Sequence, residues 1–167
     1  MTVRSIVKFP DPRLRAVAAP VAVFDAALRD LAADLIDTMR AAGGIGITAP
    51  HIGVALRVVA LELAAPETGP QIYVNPTIVW SSAETIRHPE GSVSMPGVSA
   101  EIERPAQVRM SYQDLSGAER IEEASGLAAV CHQHEIDQLD GIFWLQKLSA
   151  LKRDQVIRRY QKLQRLG

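Results

Sequence analysis

The spacing of apolar residues changes along this chain, and that change sets its fold class. Leu28, Leu31, Leu35 and Met39 recur at spacings of three and four, which makes one stripe on a helix. Asp25 precedes the stripe as an N-cap. Gly43-Gly44 ends it near Ala42, because glycine tolerates the left-handed cap. The middle of the chain reads differently. Residues 57–63 (RVVALEL) and 71–79 (QIYVNPTIV) are rich in β-branched side chains and bounded by Pro and Gly. Residues 107–113 (QVRMSYQ) and 119–123 are joined by the turn signal Asp114-Leu115-Ser116-Gly117 and predict a hairpin. A second helix is expected from Gly126 to Leu139, and a third from Leu148 or Ser149 to the C-terminus. Strands flanked by helices predict an α+β domain, with a mostly antiparallel sheet and the second helix as its central buried element. Two prolines keep Lys8-Phe9-Pro10-Asp11-Pro12 extended.

Composition excludes several classes. With 167 residues the chain reads as one domain, 1–167, able to bury about two-thirds of its unfolded surface. Cys131 is the only cysteine, so a disulfide scaffold is excluded. No apolar run approaches the ~20 residues that span a bilayer. Arg4, Lys8, Asp11, Arg13 and Arg15 charge the first twenty positions, where no secretory h-region is visible, and a cytoplasmic domain is expected. A net charge of -1 and only three Phe, two Trp and three Tyr argue against a nucleic-acid coat or a base-stacking platform. No sequence-specific nucleic acid and no membrane are expected as partners.

Chemistry concentrates in three segments. His134-Glu135-Ile136-Asp137-Gln138 lies on the second helix, where positions i and i+4 share a face. A second histidine at 138 would complete a metal pair with Glu135 as base, but the residue is Gln. Leu127, Val130 and Cys131 share that face, so it is expected to point into the core. On these residues alone, His134 reads as a hydrogen-bonded core histidine and Gln138 as a polar helix end. Residues 44–53 (GIGITAPHIG) form a glycine-rich turn after the first helix, and residues 88–97 (HPEGSVSMPG) read as a polar loop.

In this order the three segments resemble peptide deformylase, whose family shows G-x-G-x-A-A-x-Q, then E-G-C-x-S, then Q-H-E-x-D-H. Here they read GIGITAPH from Gly44, EGSVS from Glu90 and QHEIDQ from Gln133. Asp11-Pro12-Arg13-Leu14-Arg15, Val74-Asn75-Pro76, Leu139-Asp140-Gly141 and Leu148-Ser149 extend the likeness over nearly the whole chain. The resemblance implies that family's α+β fold with a long C-terminal helix. It implies removal of the formyl group from new polypeptides, with a metal, usually Fe(II), on one Cys and two His. The Glu between the histidines moves the proton. The Gln of the first motif and the N–H after the Cys hold the oxyanion.

Carried onto this chain, Glu135 keeps the place of the base and His134 one ligand place. Ser92 stands for the Cys, Gln138 for the second His, and His51 for the Gln. Val93 supplies the backbone donor and Gly46 belongs to the glycine motif beside it. Ile45, Leu127 and Arg104 fall on the substrate side. A serine hydroxyl stays protonated near neutral pH, and a neutral amide is a weaker ligand than imidazole. Full structural zinc sites are worth roughly 10–16 kcal/mol, and losing two strong ligands removes a large share. No tightly bound metal is therefore expected at the inherited position.

Two rescues stay open. His51, His134 and Glu135 could form a relocated site for Fe(II) or zinc, the alternative being that His51 only hydrogen-bonds locally. Ser92 could act as a metal-free nucleophile with His134 or His51 as base, oriented by Glu135. The expected function is a deformylase-like protein that keeps peptide N-terminus or ribosome binding and lacks ordinary turnover. Its alternative is an active amide hydrolase with a rebuilt centre.

Other residues read more simply. His88 is expected as a loop histidine or a further ligand, His132 as exposed, and Cys131 as a small core residue. Arg104 is expected to meet either a substrate or the surface acids Glu101 and Glu103. Lys147, Lys152, Arg153, Arg158, Arg159, Lys162 and Arg165 face one acid, Asp154, and Val156, Tyr160 and Leu163 make an apolar stripe. Such a helix is a solvated face or, as the resemblance implies, a ribosome contact through residues 148–167, electrostatic and salt-sensitive.

Overall fold

The computed structural model describes residues 2–63 and 68–167. Helix α1 (Ala26–Ala41) is capped by the Asp25 side chain, which accepts from the Leu28 N–H. A five-stranded sheet follows in the order β1 (Gly46–Thr48), β2 (Val58–Leu61), β3 (Gln71–Ser81), β6 (Gln107–Gln113), β7 (Glu119–Ser125). A separate hairpin pairs β4 (Thr85–Ser92) with β5 (Met95–Pro105). Every pair of these strands is antiparallel. Helix α2 (Gly126–Leu139) and helix α3 (Ala150–Leu166) complete the α+β arrangement.

Strand β2 explains the layering. All four of its residues are buried, so both faces are covered. Val58 and Ala60 point to the α1 side, where they meet Leu35 and Met39. Val59 and Leu61 point to the α2 side, where they meet Ala129, Ile136 and Leu139. Helix α2 thus lies buried between the main sheet and the hairpin. Helix α3 packs Val156 and Tyr160 against Met95, Val98 and Ile102. Leu163, expected in that stripe, stays half exposed, with its Cδ1 beside Gly97 of β5.

Some expectations need correction. Residues 88–97 are two strands and their turn, not a loop: register pairing from Thr85↔Pro105 to Ser92↔Met95 overrides the prolines at 89 and 96. His132 is buried, because β7 folds back and brings Glu122 to 3.1 Å from its Nε2. Leu127 is 41% exposed rather than on the core face, since it sits in the first turn of α2 beyond the sheet. Strand β2 is shorter than the 57–63 run: Arg57 turns instead to the Leu139 carbonyl and Asp140.

Candidate functional site

Helix α2 carries His134 and Glu135 into a cavity of about 430 Å³, closed by the glycine turn before β1 and the β4–β5 turn. Ile45, Gly46, His51, Ser92 and Val93 line it with them, and Lys8 stands at its wall. The motifs far apart in sequence are therefore brought together. Gly46 makes the approach feasible: a Cβ there would fall 2.7 Å from Leu61 Cδ2 and 2.9 Å from Glu135 Oε1. A smaller extension of about 100 Å³ is lined by His88, Leu127, Val130 and Cys131, with Gly46, His134 and Glu135 shared. Lys8 Nζ donates to the Val93 carbonyl at 3.0 Å, which joins the N-terminal segment to the turn.

A buried ion network fixes His134. Its Nδ1 lies 2.8 Å from Glu90 Oε1. Arg104 donates to the same carboxylate at 2.6 and 2.9 Å and to Asp137 at 2.8 Å. Burial alone would raise the Glu90 pKa, but its bonds to His134 and Arg104 outweigh that and hold it low. Burial alone would lower His134, yet the Glu90 bond and the charges of Glu135 and Glu90 hold it above its ordinary value. His134 Nε2 is 3.9 Å from Glu135 Oε1. Burial, with the Glu90 charge added, pushes Glu135 up to about 7, and its Oε2 has no hydrogen-bond partner among the described residues.

His51 is fully buried. Its Nδ1 accepts from the Thr48 N–H at 2.9 Å, with the Thr48 hydroxyl also 2.9 Å away, and its Nε2 has no partner among the described residues. Burial, and secondarily His134, bring its pKa down to about 3. The ring is neutral at physiological pH.

The remaining candidates are spread differently. Ser92 Oγ accepts from the Ser94 N–H at 3.1 Å, and among the described residues it bonds to no imidazole or carboxylate. Gln138 turns away: its Nε2 donates to the Leu14 carbonyl at 2.7 Å, and it lines neither cavity. Arg104 is buried, with Nε, Nη1 and Nη2 all committed to Glu90 and Asp137. This corrects the surface-pair reading, since its partners are the buried Glu90 and Asp137 rather than Glu101 or Glu103, and Arg104 lines neither cavity. His88 lies on β4 with its Nδ1 2.8 Å from its neighbour's carbonyl at Pro89. Cys131 is buried, and burial chiefly pushes its thiol up to about 12. Among the described residues, no three His, Cys, Asp or Glu side chains group as a metal site. Sequence reasoning missed Thr48 as the partner of His51 and Glu90 as that of His134. No local pattern marks the second, since the two are 44 residues apart.

A family model described as polypeptide deformylase matches residues 3–154. The chain belongs to that family. The resemblance read from the three motifs is thereby confirmed. A protein named "Peptide deformylase-like" from Brucella suis biovar 1 (strain 1330) is 68% identical over 165 residues, covering 99% of this chain and 100% of that one. A second protein of the same strain, named "Peptide deformylase", is 45% identical, covering 98% and 94%. The crystal structure of a peptide deformylase from Legionella pneumophila matches with a TM-score of 0.94 and 38% identity, over 99% of this chain and 97% of that one. The peptide deformylase fold expected from the motifs is the fold observed. No helix among the described residues is long and apolar enough to cross a membrane.

Proposed function

We propose that this chain is a deformylase-like protein that holds peptide N-termini in the cavity without ordinary deformylation. The observation that carries this reading is Gln138: at the inherited position of a ligand, its amide is spent on Leu14 O and faces away from the cavity. Ser92 adds only a neutral hydroxyl, already engaged by Ser94. His134 Nε2 is the one inherited donor still directed at the site. These residues do not fit a first-row metal centre, which needs thiolate or several imidazoles for tight binding.

Glu135, Gly46 and the Val93 backbone, kept from the family's motifs, form with the substituted His51 a recognition surface for an acylated peptide end. Ile45 and Leu127, both partly exposed on cavity walls, supply apolar contact for its side chains. Lys152, Arg158, Arg159, Lys162 and Arg165 are exposed on α3 and suit a salt-sensitive contact with an RNA surface such as the ribosome's. The cytoplasm is the matching compartment. The two Brucella suis relatives support the reading too, since one strain carries both a deformylase-like and a deformylase chain.

The test is turnover of a formyl-Met tripeptide after anaerobic reconstitution with excess Fe(II), beside a competent family member. Background turnover together with formyl-peptide binding is expected. Turnover that tracks added metal and vanishes in Glu135→Ala would overturn the reading and favour a centre rebuilt on His51, His134 and Glu135.

A further inference from the structure

A further cavity, of about 230 Å³, shares no lining residue with the two already described. It lies where the N-terminal segment meets residues 143–146 and the first turns of α3. Phe9, Leu14, Phe143, Leu145 and Ile157 give it apolar walls, with the Phe9 and Phe143 rings stacked at 5.7 Å between centroids. Its polar side chains are one-sided. The acceptors are spent: the Asp11 carboxylate takes Arg13 Nε at 3.1 Å and Nη2 at 2.8 Å, and Gln146 Oε1 takes the Phe143 N–H at 3.0 Å. The donors are not. Arg15 is exposed, and its guanidinium bonds to nothing among the described residues. Arg153 commits Nε and Nη2 to the Leu145 and Leu148 carbonyls, which leaves Nη1 without a partner among the described residues, as is Gln146 Nε2. Arginine stays charged at any pH the fold meets, so an apolar lining carries a cationic, donor-rich rim.

We propose that this cavity is a binding site for a small apolar monocarboxylate, its hydrocarbon body against Phe9, Phe143 and Ile157 and its carboxylate on Arg15. Arg153 Nη1 and Gln146 Nε2 are the further donors. Volume sets the size: the cavity falls below the roughly 300–1,000 Å³ of sites for drug-sized ligands, so it suits one ring or a short branched chain. Charge sets the class. A carboxylate brings the acceptors that the rim lacks, and a guanidinium matches it with two parallel bonds. A cation would meet Arg15 and Arg153, with Asp11, the one acid of the lining, already held by Arg13. An anion without an apolar body would leave the ring surfaces in water. Nothing in this site depends on what the peptide cavity holds. Because the lining joins residues 9–15 to residues 143–157, an occupant also ties those segments together and stabilises the fold by mass action.

The experiment titrates the full chain with 3-phenylpropanoate, followed by methyl and aromatic ¹H–¹³C spectra. Its neutral amide, 3-phenylpropanamide, and acetate are the controls. The Leu14 and Ile157 methyl and Phe9 ring resonances are expected to move, with a Kd of roughly 0.1–5 mM for a ligand of this size. The amide should bind roughly five- to ten-fold more weakly, and acetate should move none of these resonances. Arg15→Met keeps the apolar stem and removes the charge. It should weaken the acid by roughly three-fold, leave the amide unchanged, and recover part of the loss as Arg15→Lys. Since Arg15 is exposed and unbonded, the variant should melt with wild type when no probe is present. Equal affinity for acid and amide, an Arg15→Met chain that binds the acid as wild type does, or shifts confined to Ile45 and Val93 at the peptide cavity overturns the assignment. So does the absence of any shift up to about 10 mM probe. Formyl-peptide binding is measured apart from these titrations, and its failure overturns the function proposed above without touching this site.

Discussion

Arg104→Met removes the cation at the centre of the buried network, and its cost follows from the burial of its partners. The Arg104 and Glu90 side chains are 5% and 3% exposed, and Asp137 is 20% exposed. Removing one partner of a buried pair costs about 3–5 kcal/mol, because a charge is left without compensation. Two neighbours soften this: His134 still bonds Glu90 at 2.8 Å, and Lys147 lies 3.7 Å from Asp137. The expected loss is therefore at the lower end, about 3 kcal/mol. Urea denaturation at pH 7 reads it directly. With slopes of ~1–3 kcal/mol/M, the midpoint should fall by roughly 1–3 M. Adding Glu90→Gln to Arg104→Met removes the stranded charge, so the double variant should be more stable than Arg104→Met alone. A loss below about 1 kcal/mol, or a full additive penalty in the double variant, would refute the assignment of Arg104 to holding Glu90.

Three further outcomes are expected. Glu135 has its pKa raised from its ordinary 4.5 to about 7, so the stability it contributes is present below the lower value and lost as pH rises through the higher. Glu135→Gln should accordingly stabilise the chain at pH 8 by roughly 1–3 kcal/mol and leave it unchanged near pH 4.5, measured by pH-dependent melting. Gly46→Ala drives a methyl against Leu61 and Glu135, and should lower stability by about 1–3 kcal/mol and abolish formyl-peptide binding, read by urea denaturation and calorimetry. Ser92→Cys with Gln138→His should convert a chain that retains no zinc after dialysis into one that retains about one equivalent by elemental analysis. Zinc retention unchanged from wild type would show that these two positions are not what sets metal affinity.

The elements that sequence reading places well are those with strong local signals. Gly126 and Leu139 bound α2 as expected, since the helix lies between a strand end and Gly141. Strand β6 runs from Gln107 to Gln113 as read, because its alternation and turn leave one register. The β4–β5 hairpin was illegible because pairing, not propensity, makes strands of a segment with Pro89, Gly91 and Pro96. The three motifs located the cavity, yet the burden each side chain carries was set at long range. Arg104 reaches partners 14 and 33 residues away, and Gln138 reaches one 124 residues away. A two-residue offset from His134 suggests that His132 faces solvent. Glu122 of β7 and the Tyr73 ring of β3 cover it instead.

The tie between Gln138 and Leu14 has a consequence for synthesis. Leu14 is made early, but its carbonyl waits for Gln138, just as the Ala18 N–H waits for the Leu139 carbonyl and the Phe9 N–H for that of Ser94. Translation at ~5–20 residues per second leaves that segment without these partners for several seconds. Its apolar residues Val7 and Leu14 are buried in one cluster with residues of β5, of 143–148 and of α3, and Ala18 in another with residues of α2, so they wait for the later half of the chain. The growing chain is thus most exposed to proteases and to other nascent chains at its leading end. The closing of α2 and of the residues that follow it onto the N-terminal segment is the event that ends that exposure.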